Sequence, residues 1–111
     1  MSDYTSRRIS EAELSVMEIL WEIGKPMAAK DLQVILKERR GWERTTVRSL
    51  LTRLQEKGSV TSEKVDDVAT YAPTFTKAEY GWDLAEVLVD RLYERDAAKL
   101  VAALKEHGVL A

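Results

Sequence analysis

The chain contains no cysteine and a single histidine, His107, among its 111 residues. The absence of cysteine excludes disulfide bonds and thiolate metal sites. A single histidine excludes a zinc site built from several histidines, and its place in the predicted terminal helix disfavours a Ser-His-Asp triad. The sequence also contains no glycine-rich phosphate loop and no spacing of acids that suggests a metal or a glycosidase pair. We therefore predict no catalytic residues, no metal site and no cofactor, and an enzyme is disfavoured.

Long apolar segments are missing as well. The longest uninterrupted apolar run, residues 100–104, is far too short to cross a bilayer. Residues 1–8 lack the apolar core of a signal peptide. We expect a soluble cytoplasmic protein without membrane insertion. Its length and its 45% hydrophobic content suit one small domain with an appended arm.

The charge of the chain is unevenly distributed. The net charge of −2 by itself disfavours a nucleic-acid-binding protein. Residues 37–57, however, contain seven basic and three acidic side chains, whereas residues 76–111 contain five basic and seven acidic ones. Positive charge is therefore concentrated in one segment, and this pattern weakens the objection without becoming support.

The basic segment contains an amphipathic helix. Val47, Leu50, Leu51 and Leu54 recur at i, i+3, i+4 and i+7, which is one stripe of an α-helix. We expect Gly58 to end this helix, because glycine takes the left-handed conformation at the least cost. The opposite side carries hydroxyl and guanidinium groups, and we predict that it enters the major groove of double-stranded DNA. The predicted DNA-binding residues are Arg44, Thr45, Thr46, Arg48, Ser49, Thr52 and Arg53.

Two predicted helices precede this one. Ser10 and Glu13 form a capping box that opens the first helix, and residues 24–26 (Gly-Lys-Pro) stop it. Residues 27–39 predict a second helix, and Gly41 separates it from the third, which starts at about residue 45. Two helices joined by a glycine-containing turn, the second amphipathic and basic, are typical of a helix-turn-helix.

Two short strands are predicted directly after the third helix. Residues 59–64 and 69–73 favour strands, and Asp66-Asp67 is a plausible hairpin tip, although Asp-Gly or Asn-Gly would be a stronger signal. A helix-turn-helix followed by a hairpin is the order of a winged helix. We therefore predict a mainly α fold with a small β-hairpin, in which residues 1–75 form a winged-helix domain.

Residues 76–111 predict a C-terminal helical arm that mediates dimerisation. The arm is too short to fold alone with so much apolar surface. It must pack either on its own winged helix or on another chain, and a symmetric homodimer is the commonest outcome. The predicted dimerisation residues follow helical spacing: Leu84, Val87, Leu88, Leu92, Leu100, Val101 and Leu104.

Several motifs match a known family pattern. They are I-S-E-A-E-L-S-V-M-E-I-L-W (9–21), G-W (41–42), T-V-R-S-L-L-T-R-L-Q-E-K-G (46–58) and Y-A-P (71–73). With them the chain resembles the penicillinase-repressor family, the BlaI/MecI type of winged-helix transcriptional repressor. The resemblance implies a homodimer that binds a palindromic operator through the winged helix and represses genes. In the resistance systems of that family, a membrane-bound sensor metalloprotease is the further partner.

The chain departs from the family pattern at three places. Asp66-Asp67 stand where well-known members carry Gly-Arg, which removes a phosphate contact at the wing tip. Glu43 stands where serine is common, and we expect Thr45 to cap the third helix instead. The segment around Ala103-Leu104 does not reproduce the Asn-Phe bond that is cleaved in the resistance repressors. The absence of cysteine rules out the copper-responsive branch of the family.

Some residues leave alternatives open at this stage. Arg39 and Arg40 either contact phosphates or form a solvated helix surface. Trp42 either fastens the third helix to the core or reaches a phosphate through its indole N–H. We expect Arg48 to be the main base-contacting residue and Thr46 to meet a phosphate or a thymine methyl. The alternative function is a winged-helix module that contacts only proteins, which the net charge and the acidic wing tip leave open.

Overall fold

The computed structural model describes residues 8–111. Residues 1–7, on which the prediction of no signal peptide depends, lie outside the described residues. Within the described part, no helix is both long and apolar enough to cross a membrane. The elements in chain order are α1 (Glu11–Ile23), β1 (Met27–Ala28), α2 (Ala29–Arg40), α3 (Arg44–Glu56), β2 (Val60–Val65), β3 (Val68–Pro73), α4 (Lys77–Leu92) and α5 (Ala97–Glu106).

Helix α1 starts at the predicted capping box. The Glu13 amide donates to Ser10 Oγ at 3.1 Å, and the Ser10 amide donates to Glu13 Oε1 at 2.6 Å. Two amide groups that a helix start leaves unpaired are thereby satisfied. The helix ends before Gly24, whose φ of +74° is left-handed. The predicted capping box is confirmed.

The predicted start of the second helix is wrong by two residues. Met27 and Ala28 form strand β1, which pairs antiparallel with Tyr71 and Thr70 of β3. Helix α2 begins only at Ala29 and ends before Gly41. A two-residue strand carries no periodicity of its own, and its hydrogen-bonding partner lies far away along the chain. Tertiary pairing therefore decides the conformation of this pair.

Helix α3 packs on α1 and α2 and closes the hydrophobic core. Its four stripe residues are between 0% and 3% exposed, which confirms the predicted buried face. Gly58 follows the helix with a φ of +76°, as expected for its C-terminal stop. The Trp21 indole N–H donates to the Phe75 carbonyl at 2.9 Å, so Trp21 serves the core. Besides the α3 stripe, the fully buried core residues are Val16, Met17, Ile19, Leu20, Leu32, Leu36 and Val60.

The hairpin of β2 and β3 forms the wing. With β1 it makes a three-stranded antiparallel sheet in the order β1-β3-β2. Val65 pairs with Val68, so the connection is a two-residue turn of Asp66 and Asp67. Both aspartates have positive φ, +52° and +65°, as a type I′ turn requires. The helix-turn-helix followed by this sheet is a winged helix, as predicted.

The left-handed aspartates yield a test of the wing. Replacing Asp67 by glycine is expected to stabilise the fold by about 0.5–1 kcal/mol, because glycine adopts positive φ without a Cβ penalty. Urea unfolding followed by circular dichroism measures the change. A matched Thr61→Gly variant, in the extended part of β2, is expected to lose a similar amount. A destabilised Asp67→Gly chain would contradict the turn geometry.

The described residues divide into two compact units, one reaching to Lys77 and the other running from Ala78 to Ala111. The second unit contains most of α4 and all of α5. Asp96 caps α5, since its Oδ1 accepts from the Ala98 amide at 3.0 Å. In α4 only Tyr80 and Asp83 are buried, and no residue of α5 is buried.

Candidate nucleic-acid interface

The outer face of α3 presents the predicted DNA-binding residues. All seven residues, from Arg44 to Arg53, lie in this one helix of 13 residues. The burial of the apolar stripe fixes this helix so that its other side points to solvent. All seven predicted side chains are exposed: Arg44, Thr45, Thr46, Arg48, Ser49, Thr52 and Arg53.

Most of these side chains are free to bind a partner. Within residues 8–111, the three arginines of the set form no ion pair or hydrogen bond through their guanidinium groups. Thr52 is different, because its Oγ1 donates to the Arg48 carbonyl at 3.0 Å. Its hydroxyl hydrogen is therefore used within the helix, and its methyl group and its oxygen lone pairs remain for DNA.

The expected helix cap at Thr45 is wrong. Helix α3 begins at Arg44 with Glu43 as the N-cap residue, so Thr45 is already the second helical residue. Glu43 makes no capping hydrogen bond with its side chain. Its carboxylate instead accepts from Lys37 Nζ at the end of α2. An ion pair between two helices has replaced the local cap, and the sequence spacing gives no sign of it.

Arg39 and Arg40 differ in their surroundings. The Arg39 guanidinium donates to both oxygens of Glu22, from Nη1 at 3.1 Å and from Nη2 at 3.4 Å. These hydrogen bonds raise the pKa of Arg39. Arg40 forms no such pair among the described residues and lines an open groove of about 410 Å³ with Trp42. Arg40 is thus the better candidate of the two for a phosphate.

Trp42 lies between the core and the surface. It is half-buried and shares its groove with Ala12, Leu14 and Ser15 of α1. Its backbone carbonyl accepts from Gln33 Nε2 at 3.4 Å. The turn before α3 is therefore held to α2 through the Trp42 backbone, and the indole ring lines the groove beside α1.

A second ion pair holds the far end of α3. Lys57, the C-cap residue, donates from Nζ to Glu13 Oε1 at 2.6 Å. The Glu13 side chain is only 1% exposed, and its Oε2 has no hydrogen-bond partner. Burial raises the pKa of the Glu13 carboxyl, but the hydrogen bonds from Lys57 and Ser10 outweigh burial and hold that pKa below its ordinary value. The ion pair of Glu13 and Lys57 thus links the start of α1 to the end of α3.

The wing tip is unsuited to phosphate. Asp66 and Asp67 are exposed at the end of the hairpin, between the exposed Val65 and Val68. Carboxylates repel the phosphate backbone, and valines offer it no hydrogen bond. The exposed arginines of this surface therefore lie on α3 and its flanking turn, not at the wing tip.

No alternative site for chemistry is evident in the described residues. Residues 8–111 contain no cluster of three or more metal-binding side chains. The groove beside Trp42 is open, and its one hydroxyl, on Ser15, donates to the Glu11 backbone carbonyl at 3.3 Å rather than to a general base. An exposed basic helix, preceded by a second helix and followed by a β-hairpin, is the arrangement of a winged-helix DNA-binding domain.

The chain belongs to the penicillinase repressor family, whose family model matches residues 9–110. It is 28% identical over 105 residues to the penicillinase repressor of Bacillus licheniformis, covering 93% of this chain and 80% of the relative. It is 32% identical over 98 residues to the transcriptional regulator BlaI of Mycobacterium tuberculosis H37Rv, covering 87% and 69%.

A solved structure shows the same fold. The Bacillus licheniformis BlaI monomeric form in complex with the blaP half-operator is similar to this chain with a TM-score of 0.58 and 29% identity. The similarity covers 66% of this chain and 88% of that one. The predicted family and the predicted winged-helix fold are both confirmed.

Proposed function

We propose that this protein is a homodimeric, sequence-specific repressor that acts in the cytoplasm and binds a palindromic operator with α3 in the major groove. The observation that carries the proposal is the division of α3 into two faces. The apolar side chains of one face are at most 3% exposed, and the other face exposes seven hydroxyl-bearing or cationic side chains. Such a face can make hydrogen bonds to base edges and ionic contacts to phosphates.

The residues of this face have different roles in the proposal. Arg48 lies in the middle of the exposed face and makes a bidentate contact to guanine, the commonest specific contact of arginine. Thr46 meets a phosphate or a thymine methyl. Arg44 and Arg53, near the two ends of α3, contact phosphates and release counterions. Arg40, before the helix, extends this phosphate surface.

The exposed apolar residues of the arm support the homodimer. In the single chain, Leu92 is 72% exposed, Val101 40% and Leu88 38%. Leu84, Val87, Leu100 and Leu104 are only half-buried. A second copy would cover them, and a two-fold axis would give two α3 helices in inverted orientation, which match a palindrome. The half-operator bound by the monomeric form of the Bacillus licheniformis relative agrees with one half-site per copy.

A membrane-bound sensor protease is a proposed partner on the family resemblance alone. The segment that matches the family's cleavage region, Ala103-Leu104, lies in α5. The Ala103 carbonyl accepts from the His107 amide at 3.0 Å, and the Leu104 carbonyl accepts from the Val109 amide at 2.9 Å. A protease binds an extended strand, so this helical turn would have to open before cleavage.

Protein contact without specific DNA binding is the second candidate function. The exposed tip of Val65, Asp66, Asp67 and Val68 favours it, because an apolar and acidic tip suits a protein surface better than phosphate. The two functions differ in salt dependence and in sequence preference, since only specific DNA binding shows both.

Fluorescence anisotropy tests the proposal with the DNA upstream of the protein's own gene and with palindromes selected from a random library. We expect affinity for the palindrome to exceed affinity for random DNA by at least about 10³-fold. Arg48→Ala is expected to lose about 1–3 kcal/mol on the matched half-site. Its affinity for random DNA should fall much less.

Arg53→Ala is the matched control, since it also removes a guanidinium group from the exposed face of α3. We expect it to weaken binding to all DNA alike and to lower the salt slope by about one. Equal losses on specific and random DNA for Arg48→Ala would place Arg48 on a phosphate. A wild-type protein that selects no DNA sequence at moderate salt would favour the protein-contact function.

A further inference from the structure

Glu43 is an acidic side chain at the N-terminal end of α3. In the proposed complex this end enters the major groove of DNA. Glu43 directly precedes Arg44, Thr45 and Thr46, and its side chain is 68% exposed. The first turn of α3 contains no other acidic residue. In helix-turn-helix proteins the N-terminal residues of this helix contact base edges. A carboxylate at this position therefore lies close to the bases in the proposed complex.

Lys37 orients this carboxylate. The Glu43 side chain does not cap α3 but accepts from Lys37 Nζ, which belongs to the last turn of α2. An exposed ion pair of this kind contributes little to stability. Its effect is to restrict the rotamers of Glu43 and to offset part of the charge repulsion from phosphates.

The chemistry of a carboxylate restricts the base that it can contact. An ionised carboxylate only accepts hydrogen bonds. In the major groove, guanine presents two acceptors and thymine presents an acceptor and a methyl group, so neither suits it. Adenine presents its N6 donor beside the N7 acceptor, which repels a carboxylate. Cytosine presents the N4 donor without an adjacent acceptor of its own, and it is the base that glutamate contacts.

We propose that Glu43, oriented by Lys37, is a specificity-determining residue that selects cytosine at one symmetric position in each half-site. The inference rests on the proposed function, because it places the start of α3 in the major groove. It assigns to Glu43 a role that is independent of Arg48. Glu43 also disfavours random DNA, since its charge repels phosphates wherever no cytosine amine is present.

The test measures binding of the full-length protein to its selected palindrome and to the three other bases at each half-site position. The wild type is expected to prefer cytosine by about tenfold at one position. Glu43→Gln is expected to shift that preference to adenine, since glutamine both donates and accepts and pairs with adenine N6 and N7. Glu43→Ser is expected to abolish it, and Lys37→Met to reduce it about threefold.

Glu38→Gln is the matched control, because it removes one carboxylate from the exposed surface of α2 without touching Glu43. We expect it to leave the base preference unchanged. Helical circular dichroism and unfolding curves check that each variant is folded. Unchanged base preference in both Glu43 variants would overturn the inference. A uniform gain of affinity of the Glu43 variants for all DNA would also overturn it, because Glu43 would then act only by repelling phosphates. A wild type that selects no palindrome overturns the proposed function instead.

Discussion

We expect the wild type to sediment as the proposed dimer, and a chain carrying Leu100→Asp and Leu104→Asp to sediment as a monomer at the same concentrations. Both residues belong to the apolar stripe of α5, a helix in which no residue is buried within the single chain. Covering a leucine contributes about 1.5–3 kcal/mol, and a symmetric interface contains each position twice. We expect dimerisation to weaken by more than about 5 kcal/mol, which is more than a thousandfold in the dissociation constant.

The control places a charge on the opposite side of the same helix. Ala102 is exposed in α5, and helical spacing sets it about 160° around the helix from both Leu100 and Leu104. Ala102→Asp is therefore expected to remain dimeric. Sedimentation velocity over a concentration series compares the two variants. If the Leu100 and Leu104 variant stayed dimeric, the stripe would pack within its own chain.

Loss of the dimer has a defined consequence for DNA. In the proposed dimer, we expect two α3 helices to bind two half-sites together only when the arm holds them about 34–36 Å apart, one helical turn of DNA. The monomeric variant should keep its affinity for an isolated half-site, because α3 and its core belong to the other compact unit. Its preference for the palindrome over a half-site should disappear, since each half is then bound independently.

The parts of the fold that the sequence predicts are those set by local periodicity. The stripe of α3 and the capping box of α1 depend on residues no more than a few positions apart, so they are visible in the sequence. Strand β1 was missed because Met27 and Ala28 form a strand only by pairing with β3. The wing turn was located correctly, although Asp66-Asp67 is an unusual pair for positive φ.

The candidate site follows the same rule. Arg48 and its neighbours were predicted because an exposed helix face follows directly from the position of the buried one. The pair of Lys37 with Glu43 was missed, because it joins two helices and replaces a local cap that the sequence favoured at Thr45. The residue types alone offer one sign, a glutamate where a capping serine is common. Whether the exposed residues contact DNA as assigned stays a prediction.

Glu13→Ala is expected to destabilise the fold by about 3 kcal/mol, which lowers the melting temperature by on the order of 10 °C. Glu13 is buried and joins the start of α1 to the end of α3 through Lys57. Its removal eliminates the capping box and leaves the ammonium of Lys57 without its partner. Glu18→Gln, an exposed position of the same helix, is the control and should stay within about 0.5 kcal/mol of the wild type.

The loss should also depend on pH in a defined direction. The folded state holds the pKa of Glu13 below its ordinary value, whereas the unfolded chain has a glutamate pKa of about 4.3. The stabilisation by the ionised carboxylate is therefore complete above about pH 5 and declines as the pH falls through the folded-state pKa. Glu13→Gln keeps the shape and an acceptor for Ser10 but cannot titrate. Urea unfolding at pH 7 and at about pH 3 should show the gap between wild type and Glu13→Gln narrowing in acid. A gap that is constant or wider at low pH would mean that the carboxylate charge does not hold the two helices together.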